Sequence, residues 1–350
     1  MVLTKAFQAP RPCAALCVAL IALSWSAAPS AAASIEAPRS PALFEFHSGF
    51  WINLHHFLYA EAKAQKGVQK GTNAAILDSA DAQILRSLSP RLLPAWNAAV
   101  GYYADSMIQH DLLFEQELVV IKEQLENSER SADLANAGIP AALRTVLLQA
   151  APIYRKIWWQ RHDAQNRRWI AQLQPLLGKY GESLKDSLVK IYGVVWPGYP
   201  VRVDAVAYAN WAGAYTTIEP TRPTISTMDP DNQGAAALEI LFHETSHGMM
   251  DKVRSAFETA EATVNAGRPS KAFDSGTIWH AVLFYTAGDL VADRIAGYVP
   301  YADKKGLWVR AWPDPDRALI AQDWKPHMNG AVDLEQAITR LVEDLAGAPR

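Results

Sequence analysis

The sequence predicts a mainly helical α+β protein with one small sheet. Half of its 350 residues are hydrophobic, 20% are charged, and 19 Gly and 21 Pro are spread along the chain, which indicates a folded protein with a large core. Helical spacing of apolar residues dominates the first half, whereas Val, Ile, Tyr, Trp and Thr are concentrated beyond Ser187. This composition excludes collagen-like, low-complexity and wholly disordered proteins.

Residues 1–33 predict a cleavable secretory signal peptide. Lys5 and Arg11 precede an apolar run from Cys13 to Trp25, and small residues up to Ala33 follow it. The run is too short to span a bilayer comfortably, so an uncleaved anchor is the less favoured alternative. Both cysteines lie in this segment, and the mature chain would therefore have neither a disulfide nor a thiolate ligand. We expect a secreted or periplasmic protein with no stable membrane insertion after signal cleavage.

The charge pattern argues against a polyanionic partner. There are 33 Lys and Arg residues against 36 Asp and Glu residues, a formal net charge of -3, and like charges do not form long runs. Nucleic-acid binding needs a basic surface, so we expect no nucleic-acid partner.

Residues 34–186 predict a helical N-terminal region. After a Pro-rich lead, apolar residues recur at helical spacing from Phe44 to about Lys66, from Ala80 to Gln124 and from Ala141 to Tyr180. Gly and Pro residues between these segments predict turns rather than a long linker.

Residues 187–350 predict a second region that combines the sheet with further helices. Leu188 to Trp196 and Val201 to Thr217 have the composition of short strands. Helical spacing then returns in three segments, Gln233 to about Ala262, Thr277 to Ile295 and Val332 to Leu345.

The pattern His-Glu-Thr-Ser-His at residues 243–247 lies inside a predicted helix. Residues four apart share one helix face, so His243 and His247 can reach one ion while Glu244 stands beside the open coordination position. Two neutral imidazoles suit Zn²⁺, which in hydrolases takes a third protein ligand and a water. Glu244 would then serve as the general base.

At these residues the sequence resembles the zincin metallopeptidases, which share the HExxH motif. The resemblance implies a zincin-like fold in which a small sheet lies next to the metal-binding helix and an edge strand pairs with an extended peptide. Asn210 to Thr217 would be that edge strand, and residues 187–350 would form the catalytic region. Asp251 matches an acidic position of the thermolysin-like branch, where its role would be to support the site.

The resemblance is gluzincin-like, but its third ligand is atypical. The metzincin continuation needs Gly and His three and six residues after His247, and Met250 and Val253 stand there instead. The gluzincin branch would place a Glu about twenty residues after His247, where this chain has Gly267.

The third ligand must therefore be sought elsewhere. Glu258 and Glu261 would lie too far along a continuous helix to share the metal. His280, in the first turns of the next predicted helix, is the best candidate, and Asp274 and Asp289 are the alternatives.

Other polar residues are weaker candidates. One of His47, His55 and His56 could stabilise an oxyanion, and Tyr215 and Tyr285 are open to the same interpretation.

The leading prediction is an exported zinc-dependent hydrolase, a metallopeptidase acting on a peptide or another amide substrate. His243, His247 and His280 would bind Zn²⁺, and Glu244 would activate water. Two alternatives remain open: a metal-dependent amidase with a cell-wall substrate, and a non-catalytic envelope binding module with a structural zinc.

Overall fold

The computed structural model describes residues 42–67, 77–266 and 272–347 and shows a mainly helical α+β architecture with a four-stranded sheet. The predicted fold class is confirmed at this level. The predicted signal peptide, with both cysteines, lies outside the described residues. No helix in the described ranges is long and apolar enough to cross a membrane.

The sheet is mixed. Its strands are β1 (Phe44–His47), β2 (Val201–Val206), β3 (Ala214–Thr217) and β4 (Arg222–Ser226), and their spatial order is β1-β2-β4-β3. β1, β2 and β4 are mutually parallel, whereas β3 runs antiparallel to β4 and lies at an edge. The strands predicted within Val201 to Thr217 are therefore present, and the predicted edge segment contains an edge strand.

Helices account for most of the remaining structure. Their bounds are α1 (Phe50–Gln65), α2 (Ser79–Arg86), α3 (Leu93–Ser106), α4 (Gln116–Asn127), α5 (Ala141–Tyr154), α6 (Gln160–Tyr192), α7 (Ala235–Ser246), α8 (Asp251–Ala266), α9 (Ile278–Arg294), α10 (Tyr301–Lys304), α11 (Leu307–Arg310), α12 (Asp316–Leu319), α13 (Lys325–Met328) and α14 (Leu334–Gly347). A π-helical turn, Arg155–Trp159, joins α5 to α6, and a second one, Ile320–Trp324, joins α12 to α13.

Two segments differ from their predictions in the type of secondary structure that they form. Leu188 to Tyr192 is the end of α6 rather than a strand, and Gly193 ends this helix with a left-handed φ of 63°. A β-rich composition is overridden here because Leu188 and Tyr192 bury their side chains on one helix face. Phe44–His47, predicted as helix, is a strand because it pairs with β2, far away in sequence.

The helix predicted from Gln233 to Ala262 is interrupted just after the motif. A 3₁₀ turn at His247–Met249 separates α7 from α8. Gly248 lies so close to Thr221, in the turn between β3 and β4, that any side chain there would collide with it. The helix is therefore interrupted at the residue that approaches the turn between β3 and β4.

The sheet separates two hydrophobic clusters. α1, α3, α4 and α5 form one cluster, and α6 to α9 with α14 form the other. Successive strand residues point to opposite faces, so Val203 and Ala205 of β2 belong to the second cluster and Val206 to the first. α7 packs against α9 and against β3 and β4, which positions the HExxH motif beside the sheet edge.

Candidate metal centre

Three histidines converge between α7 and α9. His243 lies near the end of α7, His247 follows it in the 3₁₀ turn, and His280 lies in the first turn of α9. One potential ligand atom from each lies within 4.8 Å of the other two. The ring centres form a nearly equilateral triangle, with separations of 5.1 Å for His243 to His247, 5.1 Å for His243 to His280 and 5.0 Å for His247 to His280.

The spacing of the nitrogens fits a shared metal ion. Nε2 of His243 and Nε2 of His280 are 3.2 Å apart. Tetrahedral Zn²⁺ binds imidazole nitrogens at about 2.0–2.1 Å, which places two such nitrogens about 3.3 Å apart. The three histidines could therefore hold a metal ion, and their number leaves a coordination position for another ligand.

Burial keeps the three imidazoles neutral. Desolvation, with the neighbouring His247 and His280, lowers the pKa of His243 well below its usual value. Desolvation first, and then the charges of His280 and Arg254, lowers the pKa of His247 to about 3. Desolvation and Arg254 lower the pKa of His280 to about 4. Neutral imidazole is the form that binds metal, so the ligands need lose no proton near neutral pH.

Aromatic side chains fix the orientation of the histidine rings. Phe284 lies 3.8 Å from His243 between ring centres. The indole of Trp279 stacks on His280 at 5.2 Å, and Trp312 meets His280 edge-on at 5.8 Å. This packing removes water from most of the site. His247, His280 and Trp279 stay partly exposed, so the site opens on their side.

Glu244, which follows His243 in α7, is buried, and the edge strand holds its carboxylate. The hydroxyl of Thr216, on β3, donates to Oε2 of Glu244 at 2.7 Å, and the carbonyl oxygen of Glu244 lies 2.9 Å from the same hydroxyl. Desolvation raises the pKa of Glu244 to about 7, although the bond from Thr216 and the charge of Lys122 act in the opposite direction. A carboxyl group with this pKa can accept and return a proton at neutral pH.

The alternative ligands have other partners. Asp289 pairs with Lys325 at 2.9 Å, and Oδ1 of Asp274 accepts a hydrogen bond from the amide of Gly276 at 2.7 Å. Asp251 is exposed at the start of α8, and no described contact joins its side chain to the histidines.

The weaker candidates also lie in other environments. His47 contacts Glu129 at 2.8 Å. His55 bonds the hydroxyl of Tyr103, and His56 bonds the hydroxyl of Tyr215. Tyr285 of α9 packs against Trp308.

Two residues of the site were missed by sequence reasoning. Thr216 stands in the segment predicted to be an edge strand, but nothing in its local sequence distinguishes it from Thr217. Arg254 lies in α8, beyond the 3₁₀ turn, and its charge lowers the pKa of His247. A prediction of one unbroken helix gives no reason to select this residue.

Comparisons with models of known protein families, with curated proteins and with solved structures gave no match to this chain. The site is therefore interpreted from its own geometry.

Proposed function

We propose that the protein is a zinc-dependent hydrolase of peptide or other amide bonds. The observation that carries this proposal is the convergence of three neutral imidazoles, from His243, His247 and His280, with the buried carboxyl group of Glu244 next in sequence to His243. A structural zinc normally has four protein ligands, whereas the described His, Cys, Asp and Glu residues bring three to this position. The ligand number therefore favours a catalytic site over a non-catalytic binding module.

Bound Zn²⁺ would supply a Lewis acid that makes water more acidic and polarises the substrate carbonyl. Glu244 accepts a proton from the attacking water, whose oxygen forms a bond to the amide carbon. Glu244 then gives the proton to the amide nitrogen as the C–N bond breaks, which yields a carboxylic acid and an amine. Thr216 acts as a positioning residue, because its hydroxyl fixes one oxygen of Glu244 and leaves the other for this proton.

The fold supports a zincin-like interpretation as part of the same proposal. The motif helix α7 contacts the antiparallel edge strand β3, where an extended peptide would pair with the sheet. In this interpretation residues 187–350 form the catalytic region, and the described part of residues 34–186 adds strand β1 and helices on both faces of the sheet. Lys122 of the helical region bonds the hydroxyl of Thr217 at 2.8 Å, so it supports the same strand.

The test compares Glu244→Gln and His280→Ala with two surface controls, Glu258→Gln and His110→Ala. We expect Glu244→Gln to retain zinc and to lose about 10²- to 10⁴-fold in rate, because it keeps the shape of the side chain and removes the base. We expect His280→Ala to lose most of its zinc affinity with its helical content intact. Both controls should behave as wild type.

Zinc content is measured by metal analysis, and cleavage is measured on mixed peptides and cell-wall amides with and without chelator. Full activity of zinc-loaded Glu244→Gln would disprove the role of Glu244. Stoichiometric zinc in His280→Ala would exclude His280 as a ligand. Zinc binding by wild type without cleavage of any substrate would favour the binding module instead.

A further inference from the structure

A cationic side chain stands next to the histidine cluster. Arg254 lies in α8, and its guanidinium carbon is 3.8 Å from the centre of the Trp279 indole. That indole lies 5.2 Å from the ring of His280 and 5.9 Å from the ring of His247. A single aromatic ring therefore separates the guanidinium group from two of the three histidines, on the side where the site is partly exposed.

Within the described part of the chain, several arginines are neutralised by a carboxylate, and Arg254 is not one of them. Arg161, Arg202 and Arg222 each pair with a carboxylate. Across the described ranges, no ion pair or side-chain hydrogen bond involves Arg254, which is exposed. Stacking on an indole fixes the plane of a guanidinium group but leaves its N–H donors available.

The positive charge of Arg254 lies against the indole of Trp279, and that indole contacts the rings of both His247 and His280. A positive charge at this position disfavours a bound cation, and the same charge favours an anionic group that lies beside the guanidinium group on the exposed side of the metal position. The arrangement suits a ligand that brings its own negative charge.

We infer that Arg254 binds a carboxylate of the substrate, so that the substrate is an amide with a carboxylate close to the bond that is cleaved. A guanidinium group can donate two parallel hydrogen bonds to one carboxylate. Arg254 is available for such a pair, because no carboxylate of the described residues binds it. The inference rests on the proposed hydrolase function and adds its substrate class. The carboxylate is either that of a chain terminus or that of an acidic side chain.

A binding experiment tests this inference without requiring turnover. The probes are the monohydroxamates of succinic and glutaric acids, each compared with the matching monohydroxamate in which a carboxamide replaces the free carboxylate. The hydroxamate end binds zinc in both members of a pair. We expect zinc-loaded wild type to bind the carboxylate member about ten- to a hundredfold more tightly, and the preference to fall with added salt.

The matched variants are Arg254→Gln, Arg254→Lys and the exposed control Arg168→Gln. Arg254→Gln should lose the preference but bind the carboxamide probe as wild type does. Arg254→Lys should keep part of the preference, because it retains the charge without the fork. Arg168→Gln should keep all of it. A full preference in Arg254→Gln would overturn the inference.

Failure of this inference and failure of the proposed function give different results. Tight binding of both hydroxamates with no preference in wild type would overturn the role of Arg254 and leave the zinc centre intact. If neither probe bound to protein incubated with zinc, the proposed zinc centre would be disproved, and the inference about Arg254 would fail with it.

Peptide substrates identify the source of the carboxylate. The set contains an acylated dipeptide with a free C-terminus, its C-terminal amide, and a C-terminal amide with Asp as the last residue. Preferential cleavage of the free acid alone supports a terminal carboxylate, and additional cleavage of the Asp amide supports a side-chain carboxylate. Equal cleavage of all three would overturn the inference.

Discussion

Glu61 is a buried carboxyl group away from the histidine cluster. It is fully buried in α1, where its Oε2 accepts a hydrogen bond from the indole of Trp96 at 2.9 Å and its Oε1 accepts one from the amide of Gln65 at 3.1 Å. Both donors are neutral. Desolvation therefore outweighs the two hydrogen bonds and raises the pKa of Glu61 to about 7.

This carboxyl group makes stability depend on pH. Its folded pKa is above its unfolded value, so its contribution is fully present below about pH 4.5 and is lost as the pH rises through about 7. The loss is about 3 kcal/mol in the free energy of unfolding. We expect Glu61→Gln to remove this dependence on pH. The stability of the variant minus that of wild type should therefore be larger at pH 8 than at pH 5. Urea unfolding of both proteins at pH 5 and pH 8 measures this gain. The same difference in stability between variant and wild type at both pH values would contradict the raised pKa of Glu61.

The sequence identified some residues of the site and could not identify others. His243, Glu244 and His247 were predictable because helical geometry fixes their spacing, and His280 was predictable because a second helix begins just before it. The placement of these three histidines confirms that they can be brought together, and their roles stay predictions. Thr216 and Arg254 depend on tertiary contacts that local spacing does not encode.

The 3₁₀ turn between α7 and α8 depends on Gly248. We expect Gly248→Ala to lower stability by about 1–3 kcal/mol, because the added methyl group would overlap Thr221 and the turn would have to shift. Zinc affinity should fall as well, since His247 is the adjacent residue.

Gly101→Ala is the matched control for this variant. Gly101 lies in α3 with open space around it, so its replacement should raise stability by about 0.5–1 kcal/mol. Urea unfolding and zinc titration measure both variants. Wild-type stability and zinc affinity in Gly248→Ala would show that the close approach to Thr221 does not constrain the turn.

Elements with a clear helical period were predictable, and elements defined by distant partners were not. α9 and α14 lie close to their predicted bounds because their apolar faces repeat every three to four residues. β1 is too short to show alternation and forms through its pairing with β2. The break after α7 also follows from a tertiary contact, between Gly248 and the turn that contains Thr221.

The N-terminal segment of the chain predicts export. We expect protein from its native host to begin near Ser34 and to behave identically with and without reductant, since both cysteines precede that residue. N-terminal sequencing and a comparison of unfolding curves with and without reductant measure these properties. Intact Met1 in a membrane fraction would show an anchor instead.

The fold class followed from composition and periodicity, but the arrangement of the chain did not. Mainly helical content and one small sheet are properties that short segments reveal one at a time. The strand order β1-β2-β4-β3, with β1 and β2 from distant parts of the sequence, requires knowledge of which segments meet. The two hydrophobic clusters on either side of that sheet follow from the same long-range pairing.

The hydrogen bond from Thr216 to Glu244 gives the edge strand a kinetic role in the proposed reaction. A substrate that pairs well with β3 would hold the strand, and thereby the base, in register with the scissile bond. A short or poorly paired substrate would leave the base free to turn away even while its reacting group is bound. Selectivity among substrates would then appear in kcat more than in KM, because binding energy far from the reacting bond is used to align the proton acceptor.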